Sequence, residues 1–223
     1  MFAIALLLFL TDKEKLDFTS MPRYDMGGGF LCAVWAIITV SMLLRLIPNT
    51  RTDIGARKHF ACSYREASAP TDIPAAKNRL HKGALASALA WIAFNAVIFY
   101  ALFSLSLLSP AAAIVLMLFY AVCDLICVLI FCPFQVFFMR NRCCVTCRIY
   151  NWDYIMMCTP MILFPCAYSS SLLILSIAVL LFWEVSLRNN PHFFMAETNR
   201  NLTCDCCEDK LCILRNNHEG ETI

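Results

Sequence analysis

The stretch AAAIVLMLFYAVCDLICVLIF, residues 111–131, decides the fold class, because it holds a single charged residue, Asp124, and neither glycine nor proline. An α-helix needs about 20 mostly apolar residues to cross roughly 30 Å of hydrocarbon, so this stretch is predicted to span a membrane. Working outward, residues 83–108 carry no charge at all and are joined to it by little more than Ser109-Pro110, which predicts a tight helical hairpin of antiparallel neighbours. Residues 30–48 form another span, interrupted only by Arg45 near its end, where a long basic side chain snorkels to the headgroups. Residues 154–183 are uncharged over about 45 Å of straight helix, longer than the hydrocarbon. Pro160 and Pro165 near the start of that stretch predict a kink, or a short re-entrant piece before the true span.

The composition agrees. Of 223 residues, 60% are hydrophobic and 15% charged, far too apolar a balance for an ordinary soluble domain. The expected fold is an all-α integral membrane protein of four transmembrane helices, with a cysteine-rich juxtamembrane loop and tail. Its parts are an N-terminal interfacial segment 1–29, a transmembrane domain 30–187 with a basic loop 49–82 and a cysteine-rich loop 132–153, and an extramembrane tail 188–223. The lipid bilayer is the obligatory partner. A net charge of +2 gives no footprint for nucleic acid. The apolar run 2–10 is too short to span and reads as an interfacial or partner-docking helix, with Gly27-Gly28-Gly29 as a flexible joint before the first span.

Charge sets the expected orientation. Loop 49–82 carries seven Lys/Arg against three acids, and loop 140–153 adds Arg140, Arg142 and Arg148 against Asp153, so both are predicted to be cytoplasmic. Loop 49–82 shows no sustained periodicity and reads as a solvated connector with an anionic-lipid contact. Four simple crossings place the tail, with seven acids against four bases from residue 184 onward, on the opposite side. A re-entrant hairpin within 154–183 is the alternative that puts loop and tail on one side.

The fourteen cysteines fall into groups. Cys132, then Cys143, Cys144 and Cys147, lie beyond the third span. Cys204, Cys206, Cys207 and Cys212 lie in the tail. The Cys-x-x-Cys pair Cys144 and Cys147 lets two thiolates reach one metal, and neighbouring arginines favour thiolate over thiol. Cys132 or Cys158 can supply a fourth sulfur to the loop, while Cys204, Cys207 and Cys212 repeat the pattern with Cys206 in reserve. Neither spacing matches a ferredoxin run or a double Cys-x-x-Cys zinc ribbon. The expected cofactor is an iron–sulfur cluster or zinc, and a loop and tail that met on one side could complete a joint site. Buried helical thiols are commonly inert, so Cys32, Cys123, Cys127, Cys158 and Cys166 read as packing residues.

Asp124 is the one acid in the middle of a predicted span, where charge is costly unless paired, protonated or wetted. It borders a sector with Cys123 and Cys127, and its bland reading is a protonated carboxyl bonded through Asn95, Ser104 or Ser106. No phosphate-binding glycine loop, Ser/His/Asp signature or haem-attachment motif is present in the sequence. Asn201-Leu202-Thr203 is a formal glycosylation sequon of low specificity. Aromatic residues at the span ends read as interfacial belts, and residues 134–139 as a segment along the membrane surface. Three functions follow in order: a membrane metalloprotein carrying electrons if its centre is iron–sulfur, a quinone-linked thiol–disulfide oxidoreductase using Cys144 and Cys147, and a non-catalytic subunit among other membrane-protein subunits.

Overall fold

A computed structural model describes residues 1–20, 25–48, 58–67, 73–130, 132–139 and 151–203. Among them four helices are long and apolar enough to cross a membrane. The chain is an all-α, multi-pass membrane protein. In chain order its helices are α1 (Phe2–Thr11), α2 (Met26–Arg45), α3 (Ile73–Ser104), α4 (Pro110–Leu129), α5 (Asp153–Met157) and α6 (Ala167–Asn189). The spanning helices are α2, α3, α4 and α6.

The described chain divides into two compact units. The first comprises residues 1–43, 91–123 and 154–180, and the second residues 44–90, 124–153 and 181 onward. Each long helix contributes residues to both.

In the first unit, α3 and α4 form the expected hairpin. Ser106 adopts a positive φ of 56°, the backbone N–H of Leu107 donates to the Leu102 carbonyl at 2.9 Å, and Ser109 Oγ accepts from the Ala112 N–H at 3.2 Å to cap α4. Pro110 suits the first position of α4, where no N–H is needed. Polar side chains then tie helix to helix. Tyr120 Oη donates to Asn95 Oδ1 at 2.9 Å, Asn95 Nδ2 donates to the Trp91 carbonyl at 3.0 Å, and Trp91 Nε1 donates to Thr159 Oγ1 at 3.3 Å. Tyr168 Oη donates to the Leu31 carbonyl at 3.1 Å, and Trp35 Nε1 to Ser171 Oγ at 2.8 Å. In hydrocarbon such groups find each other because water is absent.

Three boundaries differ from the sequence reading. Gly27-Gly28-Gly29 is helical instead of a joint: Asp25 Oδ1 accepts from the Gly28 N–H at 2.8 Å and starts α2 four residues early. Gly27 is required there for close approach, since a side chain at this position would collide with the Lys15 carbonyl. Helix α3 begins at Ile73, ten residues before the uncharged run, because Pro74 and the Ala/Lys/Arg/Leu sequence after it favour helix regardless of polarity.

The apolar stretch 154–183 is the third. It is broken into α5, a 3-10 turn Thr159–Leu163 with Pro160 as its second residue, and α6, capped by Ser169 Oγ accepting from the Cys166 N–H at 2.9 Å. Asp153 belongs to the second unit, residues 154–180 to the first, and Leu181 onward to the second again. The prolines therefore interrupt the stretch, as read from the sequence.

Candidate functional site

The second unit concentrates the buried polar chemistry. Residues 58–67, expected as a solvated connector, are folded onto residues 191–203. Asn199 is the hub, fully buried: its Nδ2 donates to the carbonyls of Lys58 at 3.2 Å and Phe193 at 3.0 Å, and its Oδ1 accepts from the backbone N–H groups of Arg65 at 3.3 Å and Asn201 at 3.1 Å. Backbone pairing extends the contact. The Arg200 N–H donates to the Arg65 carbonyl at 2.8 Å, the Ala67 N–H to the Thr198 carbonyl at 3.1 Å, and Glu66 bridges Asn199. Asn201 Nδ2 donates to the Ser63 carbonyl at 3.0 Å, so the amide of the sequon is itself a structural group.

Beneath this polar layer lies an aromatic cluster. His59 stacks on Phe194 with ring centres 4.6 Å apart and meets Trp183 edge-on at 6.0 Å, while Phe60 packs on Trp183 at 5.2 Å. Trp183 is 2% exposed, and its Nε1 has no hydrogen-bond partner among the described residues. The loop's histidine and phenylalanine are thus core residues of this unit, and Trp183 is enclosed by protein instead of standing in an outer belt. Their sequence signal, an isolated His59-Phe60 in a basic loop, has no periodicity to betray it.

Charge enters at the helix ends. Arg45, the last residue of α2, forms a buried ion pair with Asp153, the first of α5. Next to it Trp152 Nε1 donates to Glu184 Oε1 of α6 at 2.7 Å. Two consecutive residues therefore anchor the end of the cysteine-rich loop to two spanning helices. Arg45 is held in protein instead of snorkelling freely to headgroups.

Segments 58–67 and 191–203 are thus joined by backbone hydrogen bonds.

Of the sequence-selected ligands, Cys132 is half-buried in the turn after α4, its carbonyl accepting from the Val136 N–H at 3.1 Å. Cys158 is fully buried in the first unit and Cys132 belongs to the second. Cys143, Cys144, Cys147, Cys204, Cys206, Cys207 and Cys212 lie outside the described residues. Asp124, Cys123 and Cys127 are half-buried on α4, and Asn95, one candidate partner for Asp124, is engaged by Tyr120 and Trp91. Ser104 Oγ donates to the Ala101 carbonyl at 2.9 Å. Among the described residues no three His, Cys, Asp or Glu side chains gather in a metal-binding group. Residues 134–139, expected along the membrane surface, form a π-helical turn with Gln135 fully buried.

Compared with protein-family models, curated proteins and solved structures, the chain matches none.

Proposed function

We propose that the protein is a multi-pass membrane metalloprotein, a subunit of a larger membrane complex, that holds a zinc ion or iron–sulfur cluster through thiolates of its cysteine-rich loop and tail. The observation that carries this reading is the common origin of those two segments. Thr203, directly before Cys204, follows the Asn199 hub, and Asn151, four residues after Cys147, precedes the Trp152 and Asp153 anchors. In sequence, Cys132, Cys143, Cys144 and Cys147 lie on the loop that ends at these anchors, and Cys204, Cys206, Cys207 and Cys212 on the tail that follows the hub.

The pairing of 191–203 with 58–67 supports reading the tail on the side of the basic loops, which changes the chemistry expected of it. On the cytoplasmic side, where the Lys/Arg bias of 49–82 and 140–153 puts them, thiols stay reduced, and clustered cysteines there serve as metal ligands more readily than as structural disulfides. Arg140, Arg142 and Arg148 lower the cost of thiolate next to Cys143, Cys144 and Cys147. A zinc centre would be structural, joining loop to tail; an iron–sulfur cluster would pass electrons to another subunit.

Metal analysis with an absorption spectrum on protein purified without oxygen or chelator tests this, using wild type with Cys144→Ser and Cys207→Ser. Stoichiometric zinc, or iron with absorbance near roughly 400 nm, lost in both variants, is expected of a joint site. Loss in only one variant breaks the joint site into a local one. Absence of both metals overturns the reading.

A further inference from the structure

We propose that the exposed bases of the second unit form a binding surface for anionic phospholipid headgroups of the surrounding leaflet. Helix α3 has 32 residues, about 48 Å, against roughly 30 Å of hydrocarbon. Its charge-free part begins at Gly83, so its first three turns, residues 73–82, project beyond the hydrocarbon. They carry Lys77, Arg79, His81 and Lys82 and no acid. Arg188 stands exposed in the last turn of α6, and Arg65 and Arg200 are exposed on the two segments that pair through the Arg200 N–H and the Arg65 carbonyl. Arg79 pairs with Glu197 at 2.8 Å, which brings the projecting turns of α3 beside the 191–203 segment, and Arg188 ends the helix that leads into that segment.

The acids of these segments are largely committed. Glu197 is taken by Arg79 and Glu184 by the indole of Trp152. Among the described residues Lys77, Lys82, Arg188 and Arg200 are in no ion pair. Glu66 is also exposed on these segments, and against it Lys77, Lys82, Arg188 and Arg200 leave an excess of positive charge.

What selects a lipid over a soluble anion is the continuation of the same helix. Leu85 and Leu89, 62% and 59% exposed, form an apolar stripe at helical spacing, and Lys82 and His81 stand one turn before Leu85 on that face. A phospholipid with its acyl chains along Leu85 and Leu89 brings its phosphate to Lys82 and His81. A free phosphate uses only half of this surface. Juxtamembrane bases are attracted to the anionic leaflet by just this combination of charge and proximity.

The test uses the full chain in nanodiscs of phosphatidylcholine alone or with phosphatidylserine, reading the thermal midpoint, and native mass spectrometry in detergent for retained lipid. Phosphatidylserine is expected to raise the midpoint and to be retained on the wild type. Apparent affinity is expected to fall about fivefold for each base removed in Lys82→Gln and in Lys82→Gln/Arg200→Gln, and to weaken with salt. Equal effects of the two lipids, undiminished retention in the variants, or the same midpoint shift from inorganic phosphate at matched charge each overturn the proposal. Should the double variant not fold, the single Lys82→Gln variant decides by the same readings.

Discussion

The two units solve the burial of polar groups differently. In the first, the helices are tied by neutral side chains: hydroxyl, amide or indole to carbonyl or hydroxyl, as in the Tyr120, Asn95, Trp91 and Thr159 chain. In the second, an ion pair, an indole–carboxylate bond and one hub asparagine hold together segments distant in sequence. The contrast teaches where each interaction is affordable. Neutral bonds between membrane helices contribute little individually, because an unfolded helix in lipid also finds partners. A buried charge pair depends on both members, since removing one strands the other.

The largest expected effect tests that contrast directly. Asp153→Ala leaves Arg45 buried without its carboxylate and should destabilise the protein by about 3–5 kcal/mol, read as loss of unfolding midpoint in detergent. Replacing both partners, Arg45→Met with Asp153→Leu, should recover most of the loss; if it does not, the pair is needed for more than mutual neutralisation. Asn199→Ala removes one partner from four bonds. It should cost about 2–3 kcal/mol and raise amide exchange selectively in 58–67 and 191–203. Uniform exchange elsewhere and no change in these segments would deny Asn199 its hub role.

In the first unit, Tyr120→Phe should cost only about 0.6 kcal/mol, although the hydroxyl is buried. A cost as large as that of Asn199→Ala would erase the distinction between the units. The smallest effect belongs to Arg79→Gln, below about 0.5 kcal/mol, because the Arg79–Glu197 pair is 72% and 45% exposed at its two side chains.

Much of the architecture was legible. Uninterrupted apolar runs reported the four spans, Ser109-Pro110 the hairpin and Pro160 and Pro165 the break, since each follows from length, charge and local backbone preference. Helix starts were less legible. Residues 73–82 are polar enough to read as loop, yet backbone hydrogen bonding does not require apolar side chains, and Asp25 turns a glycine run into a first helical turn. The cysteines that the sequence singles out lie mostly outside the described residues, whereas His59 and Asn199, which the structure buries, carry no motif.

By itself, then, the sequence determined that this chain lives in a membrane, how many helices can cross it and which segments concentrate thiols and positive charge. Those properties are sums over consecutive residues, and hydrocarbon responds to such sums. Only the tertiary structure decided that residues 58–67 pair with residues 191–203, that Arg45 is paired with Asp153 and that Asn199 joins segments more than 130 residues apart. Those outcomes depend on which distant groups meet once the chain is folded, and a single buried amide or carboxylate leaves no local pattern to announce its partner.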